Sequence, residues 1–127
     1  MRRVALITAL SLFSLSVAAD EAALSGNQIQ TWLAGRTAIS TGPDGWRQYF
    51  NADGNTPYLP EGGEVSDGKW AVRDNQYCSL WPPAETWDCY AMTGAESADG
   101  KRTVTWIDSG GGRSPADLVV GDRLRVE

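Results

Sequence analysis

Residues 69–93 read KWAVRDNQYCSLWPPAETWDCYAMT, and the fold turns on how this stretch is paired. Asp74-Asn75 separates two β-prone runs, Lys69 to Arg73 and Gln76 to Trp81. Both residue types tolerate the left-handed backbone of a two-residue hairpin. That turn sets Arg73 opposite Gln76, Val72 opposite Tyr77 and Ala71 opposite Cys78. A direct bridge from Cys78 to Cys89 across the next pair then sets Leu80 opposite Trp87, Ser79 opposite Asp88 and Tyr77 opposite Tyr90. Side chains alternate between the two faces of a strand. One face therefore carries Ala71, Cys78, Leu80, Trp87, Cys89 and Ala91, small and apolar as a core side should be. The other carries Trp70, Val72, Tyr77, Ser79, Trp81, Asp88, Tyr90 and Met92. This aromatic face either lines a barrel wall or lies under the N-terminal helix, or it stands open as a binding surface. The candidate binding residues are Trp70, Tyr77, Trp81, Trp87 and Tyr90.

Outward from this hairpin pair the pattern is one helix and many short strands. Ser25-x-x-Gln28 is a capping box, with Leu24 and Ile29 placed as a hydrophobic staple around it. Ile29, Trp32 and Leu33 recur at helical spacing, and Gly35 is placed to end the helix left-handed. The helix is expected at about 26–34. Strands are expected at 36–40, 46–50, 56–59, 69–73, 76–81, 87–93, 101–107 and 118–126, the last broken at Gly121-Asp122. Asp-Gly, Gly-Gly and Asn-containing turns lie between them. The expected class is mainly β with a minor α part: one helix, then an antiparallel meander closed into a small barrel or a strongly curved sheet.

The first residues have the layout of an export signal. Met1-Arg2-Arg3 is basic, Val4 to Val17 is mostly apolar, and Val17-Ala18-Ala19 precedes Asp20. Residues 1–19 are read as a removable signal peptide, and 20–127 as a single secreted β-rich domain. The two cysteines agree with periplasmic or extracellular residence, where such a pair forms a disulfide. Without the signal, nine Lys+Arg stand against sixteen Asp+Glu, a net charge of −7. That surface repels phosphate backbones, so nucleic acid is not expected as a partner, and no stable membrane insertion is expected after cleavage.

Histidine is absent, which excludes Ser-His and Cys-His catalysis and His-ligated metals. Ile107-Asp108-Ser109-Gly110 has the local form of an aspartic-protease motif, but that chemistry needs a second carboxylate sharing the proton. A turn is expected there. Gly110-Gly111-Gly112-Arg113-Ser114 lacks the Gly-Lys-Ser/Thr of a phosphate loop. Asn51-x-Asp53-x-Asn55 lacks the Gly and Glu of a calcium loop and is read as a hairpin turn. No metal and no cofactor are expected.

Several motifs in order resemble a known group. Leu24-Ser25-Gly26 with Ile29, Leu33-x-Gly35-Arg36-Thr37, Tyr49-Phe50 before Asp53-Gly54, and Gly68-Lys69-Trp70-x-Val72 before Tyr77-Cys78-x-x-Trp81 and Cys89-Tyr90 are similar to small secreted bacterial proteins of a domain-of-unknown-function family. The resemblance covers residues 24–93 and implies an exported, single-disulfide, mostly β domain. It implies no catalytic residues. The expected role is a non-catalytic binding or interaction module of the bacterial envelope, with an unknown protein or envelope partner. The alternatives are a small hydrolase using carboxylates such as Asp88 or Asp108, and a purely structural envelope protein.

Overall fold

The computed structural model describes residues 21–125. The expected signal segment lies outside them. The elements run β1 (Ala22–Ala23), α1 (Gly26–Leu33), β2 (Arg36–Ser40), β3 (Trp46–Phe50), β4 (Asn55–Pro60), β5 (Ser66–Arg73), β6 (Gln76–Leu80), β7 (Asp88–Glu96), β8 (Arg102–Ile107) and β9 (Arg113–Val120). Each of β2 to β9 pairs antiparallel with its neighbour in sequence, and β9 returns to pair with β2. The result is a closed up-and-down barrel of eight strands. Closure pairs each of these eight strands on both sides.

The central register is the one expected. Asp74 and Asn75 have φ of 52° and 60° and make the two-residue turn. Arg73 pairs with Gln76, Val72 with Tyr77 and Ala71 with Cys78. Tyr77 pairs with Tyr90, Cys78 with Cys89 and Ser79 with Asp88. Leu80 and Trp87 lie just past the end of that ladder. Cys78 and Cys89 form a disulfide with Cα atoms 4.0 Å apart.

The small apolar face expected as the core side turns outward, and the aromatic face lines the barrel wall, one of the positions expected for it. Trp70, Tyr77 and Met92 are buried inside the barrel. Cys89 and Ala91, on the small apolar face, are exposed, and Ala71 and Leu80 are half-buried. Eight strands enclose a lumen that only large side chains can fill. The aromatic face therefore turns inward, and the small face borders solvent. Phe50 sits at the centre of the filling, with ring centroids 5.6 Å from Trp70, 5.9 Å from Tyr77 and 5.9 Å from Trp106.

One end of the barrel is plugged by α1. The Ser25 and Gln28 side chains each bond the other's backbone N–H, as the capping box requires. The Gly26 N–H donates to Asn75 Oδ1 at 2.7 Å, so the β5–β6 turn fastens the start of the helix. Ile29 and Leu33 are fully buried beneath it. Gly35 closes the helix at φ 79°, and its N–H donates to the Phe50 carbonyl at 2.7 Å.

Two termini differ from the expected pattern. β1 is short and was not anticipated; it pairs with β7 beyond the point where β6 has ended. β9 spans Arg113–Val120 instead of 118–126. Past Gly121 the chain leaves the sheet and packs outside β2, where Thr37 Oγ1 donates to the Gly121 carbonyl and accepts from the Arg123 N–H.

Glu21 clamps the N-terminal segment to the barrel wall. Its carboxylate accepts from Thr93 Oγ1 at 2.7 Å, Thr105 Oγ1 at 2.9 Å and Arg113 Nη2 at 3.1 Å. The Thr93 hydroxyl leads these contacts in holding the Glu21 pKa below 4.5, against desolvation. A depressed folded pKa stabilises the fold above the unfolded value and loses that contribution as pH falls through the folded one. The melting temperature of wild type should therefore exceed that of Glu21→Gln by a constant margin above about pH 5 and converge with it in more acidic buffer. A margin that does not shrink on acidification would remove the carboxylate from this role.

Candidate functional site

The end opposite α1 is open. Loops 41–45, 61–65, 81–87 and 108–112 surround it. Between them lies a cavity of about 640 Å³. This size falls in the range of small-molecule sites, which favour barrel mouths. Six aromatic rings line it: Trp46 from β3, Tyr58 from β4, Tyr77 from β6, Trp81 just after it, Tyr90 from β7 and Trp106 from β8.

Strand alternation places these rings. Trp46, Gln48 and Phe50 share the inward side of β3, as Val104 and Trp106 do on β8. Trp46 and Tyr58 stack at 5.7 Å, and Trp81 meets Tyr58 edge-on at 5.8 Å. Trp106 meets both Trp46 and Tyr77 at steep angles, with centroids 5.9 and 5.8 Å away. Edge-to-face contacts of this kind hold the rings in fixed mutual positions.

Polar groups form two short runs along the wall. In one, Trp81 Nε1–H donates to Ser79 Oγ at 3.1 Å. In the other, Gln48 Nε2 donates to the Tyr77 oxygen at 3.1 Å and to Thr56 Oγ1 at 2.9 Å. The Thr56 hydroxyl donates in turn to the Tyr49 carbonyl at 2.7 Å. Burial pushes the Tyr77 phenol far above its ordinary range, so it stays protonated at any physiological pH. One buried donor has no partner among the described residues: the indole N–H of Trp106. A buried unsatisfied donor costs about 1–3 kcal/mol.

Gly68 makes room for the outermost ring. A Cβ there would lie 2.4 Å from the Trp81 six-membered ring. Gly68→Ala should push the indole off β5, break its bond to Ser79 and cost about 1–3 kcal/mol. A near-UV circular dichroism spectrum identical to wild type would show that Trp81 does not lie there.

The structure sorts the sequence candidates into three groups. Tyr77, Trp81 and Tyr90 line the cavity. Trp70 is buried at the closed end, its N–H donating to the Asn51 carbonyl at 2.8 Å. Trp87 stands outside the barrel under the Arg73 guanidinium, 4.4 Å from its ring centroid. Trp46, Tyr58, Trp106 and Gln48 join the wall without having been singled out in the sequence.

No family model matches the chain, and no curated protein and no solved structure matches it either. The site must therefore be read from its own chemistry. Asp108 Oδ1 accepts from the Gly110 and Gly112 N–H groups at 2.9 and 2.8 Å, so Asp-Ser-Gly is a tight turn. Asn51 and Asp53 likewise cap the backbone of their own hairpin. No cluster of three or more potential metal-binding side chains occurs among the described residues. The serines of the cavity wall, Ser66, Ser79 and Ser114, stand in a chain that contains no histidine to activate them.

Proposed function

We propose that this protein is an exported, non-catalytic binding module that holds a small ligand in the open mouth of its barrel. The observation that carries this reading is the aromatic cavity itself, closed at the far end by α1 and lined also by hydrogen-bonded polar side chains. A wall built from rigid rings offers large contact area at low cost in side-chain entropy. Engagement of the Asp108 carboxylate in its own turn supports binding over hydrolysis. The disulfide is compatible with an oxidising compartment. The likeness of residues 24–93 to small secreted bacterial proteins supports placement in the bacterial envelope.

Tryptophan fluorescence of the mature protein, titrated in turn with phenol, N-acetylglucosamine and choline, tests this reading. At least one probe should saturate. Trp81→Ala should weaken that binding about tenfold or more, a loss of about 1.4 kcal/mol, while Trp87→Ala should leave it intact. No saturable response to any of the three, or equal losses in the two variants, would overturn it.

A further inference from the structure

The charges around the mouth point to a class of ligand, granted the binding role proposed above. Its four loops carry Asp44, Glu61, Glu64, Glu85 and Asp108 and contain no lysine or arginine. Asp67 lines the cavity itself, and no cationic side chain does. Several of the cations are held elsewhere. Arg113 lies on Glu21, Arg73 over Trp87, and Arg102 over Trp32 and beside Glu96. Arg36 donates to the last carbonyls of α1, at the closed end.

The carboxylate field reaches the wall. Burial first, then Asp88 and Asp108, push the Tyr90 phenol up; burial and then Asp44 do the same at Tyr58. Such a field excludes anions and draws in cations. The rings add to it, because each aromatic face is the negative side of a quadrupole. Tyr58 and Trp81 stand at 72° to one another, as do Tyr77 and Trp106, so the wall presents ring surfaces in several orientations.

We infer that the mouth takes a small organic cation, an alkylated ammonium group, against its ring faces and within its ring of carboxylates. Alkylated ammonium suits the site better than a bare one, since its methyl groups pack against rings while its charge is spread and weakly hydrated. A neutral ligand of the same shape would gain the packing and lose the charge term.

Choline and its neutral carbon isostere dimethylbutanol separate these contributions, because both keep the hydroxyl. Calorimetric titration at low salt should show choline binding about tenfold more tightly, with the ratio falling as salt is added. Asp67→Asn, at an exposed position, should weaken choline at least about threefold and leave dimethylbutanol unchanged. Equal affinities for the two compounds, or an Asp67→Asn variant that binds choline as wild type does, would overturn the cationic class. Saturable binding of dimethylbutanol without choline would overturn it too, leaving the binding role standing. A failure of both compounds, together with phenol and N-acetylglucosamine, would overturn the binding role as well.

Discussion

Replacing Phe50 by alanine should cost about 3–5 kcal/mol and bring the barrel close to unfolding at room temperature. The ring is fully buried and touches three other aromatics, Trp70, Tyr77 and Trp106. Its neighbours belong to β5, β6 and β8, on different sides of the lumen. No single strand can shift to fill the space, so the cavity left behind persists and adds to the lost burial. Urea denaturation of Phe50→Ala beside Phe50→Leu checks this. Leucine should recover a large part of the loss, because it restores volume without the edge contacts. A loss under about 1 kcal/mol for alanine would mean that the lumen is not packed around this ring.

The second large effect is expected at the disulfide. Cys78→Ala with Cys89→Ala should lower stability by about 2–3 kcal/mol, the gain expected from closing so short a loop in the unfolded chain. It should also weaken the mouth selectively. The bridge joins β6 to β7 immediately below the 81–87 loop, which carries Trp81. Reduction should therefore alter Trp81 fluorescence before the melting transition, while the buried Trp70 environment holds. Access from outside is expected, because Cys89 is exposed although Cys78 is not. A double variant with wild-type stability would show that β6 and β7 are held by their ladder alone.

How much of this was readable beforehand depends on how local each signal is. The start of α1 was legible because Ser25 and Gln28 satisfy each other within one turn. The register of β5, β6 and β7 was legible because Asp74-Asn75 and the cysteine pair each pin it at one point. Which side of that ladder faces inward was not. Ala71, Cys78 and Leu80 look like core residues in any local pattern, and the decision comes from closure, a property of all eight strands together. Trp46, Tyr58 and Trp106 were missed for the same reason: they meet only across the lumen. The available signal was the shared inward side of Trp46, Gln48 and Phe50 on one strand and of Val104 and Trp106 on another.

β9 shows a different kind of miss. The glycine run at 110–112 carries no strand signal, and the strand expected at 118–126 begins five residues later than β9 does. Pro115 sits opposite Thr105, and its carbonyl accepts from the Thr41 N–H at 3.1 Å, one residue past the end of β2. Its missing N–H would point the same way, where the β2 ladder has already ended. Proline is tolerated at such a strand terminus and here marks the edge of the mouth.

The central claim is that the aromatic mouth, and not the outer face around Trp87, is where the protein meets its ligand. A nitrogen-15 spectrum of the six tryptophan indole N–H groups, recorded while choline is added, tests it most directly. The signals of Trp46, Trp81 and Trp106 should move together and saturate, while those of Trp32 and Trp87 stay in place. Movement of Trp87 or Trp32 with the three mouth signals unchanged would contradict the account.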